Sequence, residues 1–278
     1  MNSIKYSFTD LYYMCTIQCN QRCSKCSHWK KKDGFPRLPP KLVVQAVREF
    51  PSLHELTIVG GEPLLFKDEI SSIVDGIENT GVRTVIITNG VALTKDFVDR
   101  MKDCNVHFVF SVDTVDRDFW KFVRGSDSFD IVMKNLGYAF KTLRPEQMSI
   151  QSVLAKETEP YIPAVRAFAT EHGLYHGVQD FVAEGFDGSW TPLEKKSAPI
   201  SLGSQQCFAA GRNVSIVQSG DVFTCFQQNL IPGCEKPLGN LREQSITEIL
   251  CSSYACSVQG MMEKCDRSCK VLKCNIQK

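Results

Sequence analysis

The residues of this chain with the most chemistry in them are Cys19, Cys23 and Cys26, in the segment Cys19-Asn20-Gln21-Arg22-Cys23-Ser24-Lys25-Cys26. Three thiols spaced C-x3-C-x2-C fit on one short loop. Three thiolates can hold three irons of a four-iron cluster and leave the fourth iron open to another ligand. With His28 as a fourth donor the same loop would instead make a tetrahedral zinc site.

Gly60-Gly61-Glu62-Pro63 is the second such segment. Residues without Cβ let backbone pass close to a ligand, Pro63 suits the first position of a helix, and the Glu62 carboxylate can accept hydrogen bonds from an amino group. Read locally, the same residues are only a strand-to-helix turn. Further polar groups close later apolar runs: Thr88-Asn89-Gly90, Ser111-Val112-Asp113, Arg124-Gly125, Gln151 and Glu184. Each alone reads equally as turn chemistry or surface charge.

Elements that could position these groups alternate along the first 184 residues. Apolar runs predict strands at 8–16, 53–59, 82–88, 106–112, 148–155 and 175–182. Helical periodicity predicts helices at 40–50, 67–79, 95–103, 116–123, 129–143 and 160–172. Strands alternating with helices predict a parallel sheet, and runs such as Val85-Ile86-Ile87 suggest strands buried on both faces. The fold expected is α/β, a partial (β/α)6 TIM-like barrel with the polar groups at its strands' C-terminal ends. The Gly-, Ser- and Pro-rich stretch 185–206 reads as a linker, and 207–278 as a small second domain of hairpin and short helices.

The chain has 278 residues, a net charge of +1 and 43% hydrophobic residues, with no bias toward nucleic acid or a membrane surface. No apolar run reaches the ~18 residues needed to span a bilayer. Met1 to Tyr6 shows no export signal, so a cytoplasmic chain is expected, and there thirteen cysteines point to metal rather than disulfides. Cys15, Cys104, Cys234, Cys251 and Cys256 stand outside the clusters.

The C-x3-C-x2-C loop after a first strand, followed by Gly60 to Pro63 after the second, resembles the radical S-adenosylmethionine (SAM) superfamily. The resemblance implies a [4Fe–4S] cluster on Cys19, Cys23 and Cys26 whose open iron takes SAM, and a 5′-deoxyadenosyl radical that abstracts hydrogen from substrate. It implies SAM contacts from Gly60, Gly61, Glu62 and Pro63, with Asn89, Ser111, Arg124 and Gln151 beside them, and substrate contacts from Asp113 and Glu184. An electron donor such as flavodoxin or ferredoxin is implied as a partner. One departure stands out: relatives often carry an aromatic residue before the third cysteine, and here it is Lys25. Trp29 is the nearby aromatic that could take its place.

Cys207-x12-Gly220-x4-Cys225 resembles the opening of the auxiliary-cluster domains called SPASM and Twitch, and Gly239-Asn240-Leu241 with Ser245 to Ile249 resembles the segment that follows. The tail adds Cys265, Cys269 and Cys274 without the usual C-x2-C. A Twitch-like form with one auxiliary [4Fe–4S] cluster is implied, held by Cys207, Cys225 and two or three of the tail thiols. A purely structural cluster or zinc site is the alternative.

The layout resembles the 2-deoxy-scyllo-inosamine dehydrogenase and the neomycin epimerase of aminoglycoside biosynthesis. The expected substrate is therefore a small sugar, aminocyclitol or aminoglycoside, epimerised with Cys251 returning a hydrogen atom. Oxidation of an alcohol to a ketone, radical modification of a peptide, and a zinc-stabilised scaffold without catalysis are the alternatives.

Overall fold

In the computed structural model of the chain, residues 7–31, 36–181, 190–193, 207 and 209–264 are described. Six strands form within two residues of their expected limits: β1 (Asp10–Thr16), β2 (Glu55–Gly60), β3 (Arg83–Thr88), β4 (Val106–Ser111), β5 (Met148–Leu154) and β6 (Tyr175–Asp180). All five pairings from β1 to β6 are parallel. Helices α1 (Pro40–Arg48), α2 (Lys67–Ile77), α3 (Lys95–Met101), α4 (Arg117–Arg124), α5 (Phe129–Thr142) and α6 (Ile162–Glu171) lie in the crossovers. This is the expected α/β partial barrel.

One face of the sheet is dry. Leu11, Leu56, Ile58, Ile86, Phe108, Phe110 and Ile150 pack into one core with Val43 and Val47 of α1, Ile70 and Ile73 of α2 and Leu136 of α5. Each fully buried side chain of this size contributes about 1.5–3 kcal/mol. The other face is different. Along β4 burial alternates, with Val106, Phe108 and Phe110 buried and His107, Val109 and Ser111 half-buried. The strands are therefore not sealed on both faces as Val85-Ile86-Ile87 suggested: Val85 and Ile86 are buried and Ile87 is half-buried. Helices α1, α2 and α5 cover the outer face, while Val123 of α4 packs in a separate cluster with Ala155, Phe181 and Trp190.

The C-terminal segment adds β7 (Asn213–Val217), β8 (Asp221–Phe223), β9 (Gly239–Asn240), α7 (Ile246–Leu250) and α8 (Ser253–Glu263). Among the described residues the strands form one sheet in the order β6-β5-β4-β3-β2-β1-β7-β8-β9. β7 runs parallel to β1, from Asp10↔Asn213 to Met14↔Val217, and so pairs an edge that would otherwise present bare N–H and C=O groups. β8 folds back antiparallel as the expected hairpin. Val214, Ile216, Val222, Ile246, Val258 and Met262 join the same core as Leu11 and Val43. The small C-terminal part thus does not depend on a core of its own. Among the described residues no helix is long and apolar enough to cross a membrane.

Candidate functional site

The cysteine loop leaves the C-terminal end of β1, and three neighbours strap it down. The N–H groups of Arg22 and Ser24 donate to the carbonyls of Arg124 and Val123 at 3.0 and 3.1 Å. These are carbonyls of the last turn of α4, which the helix itself leaves without partners. Gln21 Nε2 donates to Ser128 Oγ at 3.0 Å. Gly125 follows α4 with φ +58°, and a Cβ there would stand 2.1 Å from the Arg22 carbonyl oxygen. The Arg124-Gly125 pair seen in the sequence is thus the seat of the cysteine loop.

Gly60 to Pro63 sits against the start of that loop. Gly61 N–H donates to Thr16 O and Glu62 N–H to Gln18 O, both at 2.8 Å. Pro63 opens a single turn, Pro63–Phe66, capped by Glu62. Glu62 is 1% exposed. Its carboxylate accepts from Leu64 N–H (2.9 Å), Thr88 Oγ1 (2.7 Å) and Asn89 N–H (2.8 Å). Burial pushes its pKa up, and the hydrogen bonds from Asn89, Thr88 and Leu64 work against that. A carboxylate has about four acceptor positions, so one remains for a further donor. Asn89 completes the cradle: its Nδ2 donates to Asn20 Oδ1 at 2.8 Å and lies 3.7 Å from Cys19 Sγ.

Behind the loop lies a buried charge cluster. Lys25 Nζ donates to Asp113 Oδ2 at 2.6 Å, and Arg124 Nη2 stands 2.9 Å from the same oxygen. Asp113 Oδ1 accepts from Val153 N–H at 2.8 Å, and Arg124 Nη2 also donates to Ser111 O at 2.5 Å. Burial would raise the Asp113 carboxyl, but the charges of Arg124 and Lys25 hold it below the usual carboxylate range. Trp190 closes the cluster: its ring lies 4.8 Å from Lys25 Nζ and its indole N–H donates to Ser24 Oγ at 2.7 Å.

The sequence candidates divide accordingly. Gly60, Gly61, Glu62, Pro63, Asn89, Ser111 and Arg124 gather around the loop of Cys19, Cys23 and Cys26. Gln151 is in register with Ser111 on one side and Gly177 on the other. Asp113 is fully buried and its carboxylate is engaged by protein donors. Glu184 lies outside the described residues. Trp29 packs on the loop, with its indole N–H 3.4 Å from Cys23 O and its ring under Arg22 at 5.4 Å. Trp190, from the stretch read as a linker, was not singled out. The signal that could have found the charge cluster was Lys25 itself, since a lysine in a buried loop requires an acid.

The donor set fits an iron–sulfur cluster with SAM. Cys19, Cys23 and Cys26 are free thiols. Burial pushes the Cys19 pKa up to about 11 and raises that of Cys26, so a cation that takes up their charge is what favours the thiolate form of these two. Among the described residues no three His, Cys, Asp or Glu side chains converge on a single ion, as a zinc site at Cys19, Cys23, Cys26 and His28 would require. A four-iron cluster held by three thiolates places each on a different iron, leaving the fourth open, and so spaces them more widely. Arg124 Nε is buried without a hydrogen-bond partner among the described residues, on a guanidinium that also engages Asp113, Ser111 O and the Cys23 sulfur, and so suits a ligand carboxylate.

The second thiol set lies at the other end of the sheet. Asn213 is level with Asp10 at the start of β1, and Cys207 precedes β7 there. The hairpin returns Cys225 to that end. Gln259 of α8 ties the two sides together, accepting from Gly211 N–H at 2.8 Å and donating to Thr224 Oγ1 at 3.3 Å. Cys234 is fully buried, its Sγ 3.9 Å from Met261 Sδ. Cys265, Cys269 and Cys274 lie outside the described residues. Cys251 ends α7, half-buried. α7 begins where Thr247 N–H bonds Glu49 (3.1 Å), past the C-terminus of α1 and away from the cysteine loop.

An open parallel sheet with outer helices, a three-thiol loop at its C-terminal edge and a second thiol pair at the opposite end define a partial-barrel iron–sulfur protein. The chain belongs to the radical SAM superfamily, which residues 13–169 match, while residues 207–275 match the iron–sulfur cluster-binding domain SPASM. SAM and [4Fe–4S] clusters are its cofactors.

GTP 3′,8-cyclase of Haemophilus influenzae is 32% identical over 148 residues, 51% of this chain and 43% of that protein. 7-Carboxy-7-deazaguanine synthase of Hyperthermus butylicus is 40% identical over 76 residues, 26% of this chain and 32% of that protein. The chain thus spans less than half the length of these relatives. Among solved structures, Streptococcus suis SuiB bound to S-adenosylmethionine superposes with a TM-score of 0.75 at 17% identity, over 95% of this chain and 73% of SuiB. BtrN in complex with AdoMet and 2-DOIA gives 0.58 at 16% identity, over 99% and 95%. At these identities the likeness is one of fold.

Proposed function

We propose that this chain is a radical SAM enzyme acting on a C–H bond of a polar small molecule, with residues 1–184 as the catalytic barrel, 185–206 as a linker and 207–278 as an auxiliary-cluster domain. Cys19, Cys23 and Cys26 hold the first cluster. Cys207 and Cys225, with two or three of Cys265, Cys269 and Cys274, hold one auxiliary [4Fe–4S] cluster. When bound, cluster and SAM supply a 5′-deoxyadenosyl radical that takes a hydrogen atom from substrate.

The remaining steps belong to the protein. Gly60 and Gly61 let the end of β2 pack against the backbone of Thr16 to Gln18 and so seat the start of the cysteine loop. Glu62, fixed by three donors, offers its last acceptor position to the SAM amino group. Arg124 Nε faces the carboxylate, and Asn89, Ser111 and Gln151 line the strand ends beside it. Asp113 and Glu184 were expected at the substrate; Asp113 acts instead by holding Lys25 and Arg124. A flavodoxin or ferredoxin donates the electron.

The observation that carries the substrate class is the barrel's inner face, where His107, Ser111, Gln151 and Gln179 are half-buried among Met14, Val59 and Val109. A mixed, partly wetted lining suits a hydroxyl- or amino-bearing ligand such as a sugar or aminocyclitol. Epimerisation of such a carbon is the reading preferred, with the hydrogen returned by a group other than Cys251, which was expected in that role but sits at the end of α7 against the C-terminus of α1, away from the cysteine loop; loss of an electron and a proton to give a ketone is the alternative. Turnover in heavy water separates them. An epimerase whose hydrogen donor exchanges with solvent places deuterium on the inverted carbon, and Cys251→Ala is expected to keep both 5′-deoxyadenosine formation and the epimer. A ketone without deuterium ends the epimerase reading, and loss of the epimer in a folded Cys251→Ala variant would return Cys251 to the role of donor. Peptide modification stands as a second reading on the higher TM-score of SuiB, which was also solved with its precursor peptide SuiA.

The two thiol sites stand at opposite ends of seven-residue β1, a span of about 20 Å at ~3.3 Å per residue. Direct contact between the auxiliary site and SAM is too far. Cys225→Ala is therefore expected to cut product formation at least tenfold more than SAM cleavage, measured as product per 5′-deoxyadenosine. Cys225→Ser, with circular dichroism on both variants, separates this from unfolding. Equal losses of both activities in a folded variant would overturn the assignment.

A further inference from the structure

Lys25 stands where relatives of this chain often carry an aromatic residue, and the structure shows what it does there. Its ammonium is inserted between the Asp113 carboxylate, at 2.6 Å, and the Trp190 ring, at 4.8 Å. Arg124 holds the other side of the same carboxylate oxygen at 2.9 Å. The Lys25 side chain is 16% exposed, those of Asp113 and Arg124 1% and 4%. Lys25 and Arg124 thus share one buried carboxylate oxygen behind the cysteine loop, where burial works against the Lys25 ammonium and the Asp113 carboxylate works for it. Lys25 is the chain neighbour of Cys26, and Arg124 is held against the loop through its carbonyl, which accepts from Arg22 N–H, next to Cys23, at 3.0 Å. Charges shielded from water act over such distances far more strongly than exposed ones.

We propose that Lys25, clamped by Asp113 and Trp190, is a positioning residue that places a fixed net positive charge behind the loop of Cys19, Cys23 and Cys26 and thereby raises the reduction potential of the cluster bound there. The proposal rests on the assignment of those three thiols as cluster ligands. Cluster potentials respond to local net charge and solvent exposure, and a neighbouring positive charge favours the state carrying one more electron. Trp190 contributes by keeping solvent from the ammonium. Its anchor on Ser24 means that a residue between the two parts of the chain completes the cluster's surroundings.

The test is a redox titration of the anaerobically reconstituted full-length protein. It follows the electron paramagnetic resonance (EPR) signal that changes when SAM is added, which distinguishes this cluster from the auxiliary one. Lys25→Met is expected to shift the midpoint to more negative values, Lys25→Arg to leave it unchanged, and Asp113→Asn to shift it to more positive values, with iron content held in each. A role in folding alone would not produce shifts of opposite sign. If Lys25→Met loses the cluster, the sign of the Asp113→Asn shift decides. A Lys25→Met protein with the SAM-responsive signal and the wild-type midpoint overturns the proposal and leaves the ligand assignment intact. A SAM-responsive signal that survives Cys19→Ala overturns both.

Discussion

Alanine in place of Cys19, Cys23 or Cys26 is expected to bring reductive SAM cleavage down to background. On the proposed assignment each thiol is the single protein ligand of one iron, and Cys15, the nearest cysteine in sequence, is not placed to substitute: it is 3% exposed in the outer core among the helices. Its burial pushes its pKa far up, so it is not an available thiolate. Iron should fall from about eight to about four per chain, one [4Fe–4S] cluster being lost and the auxiliary one kept. The measurements are 5′-deoxyadenosine by chromatography and iron per chain. One variant with full iron and full cleavage would show that its cysteine is not a ligand. A colourless wild-type protein holding zinc and no iron would remove the reading altogether.

Gly61→Ala is expected to have the second largest effect, and for a different reason. A Cβ on Gly61 would lie 2.1 Å from Gln18 O, 2.5 Å from its carbonyl carbon and 2.6 Å from Ile17 O. All three are backbone atoms, so no side chain can swing aside. The start of the cysteine loop must move, breaking the bonds from Gly61 N–H to Thr16 O and from Glu62 N–H to Gln18 O. Overpacking costs ~1–3 kcal/mol where side chains can yield, and here the cost should reach or exceed the upper figure. Thermal unfolding and iron content measure it, with Gly137→Ala as the control. Gly137 lies within α5, where a Cβ meets nothing within 4 Å, and alanine there should stabilise by about 0.5–1 kcal/mol. If both variants melt alike, the close approach at Gly61 is wrong.

Much of this was legible in the residues. Apolar runs marked each barrel strand and period-3.6 patterns each barrel helix, because burial sets both the pattern and the element. The positions of Cys19, Cys23 and Cys26 and of Gly60 to Pro63 at strand ends followed from chain order alone. The pairing of β7 with β1 did not, because a short apolar strand carries no mark of which edge it will cover. The open inner face was hidden for a related reason: Val85-Ile86-Ile87 reads as doubly buried, while the lining of a cavity depends on what else fills it. Trp190 looked like linker because its partners, Lys25 and Ser24, lie far away in the sequence.

The sequence by itself determined the chemistry available to this protein, since thiol spacing on one loop and glycines at a strand end are local properties that survive without coordinates. Only the tertiary structure decided how that chemistry is held. Lys25 read as a mere departure from pattern until Asp113 and Arg124, nearly a hundred residues on, were folded against it. Charges act through space at a few ångströms, and only the folded chain determines which charges come that close.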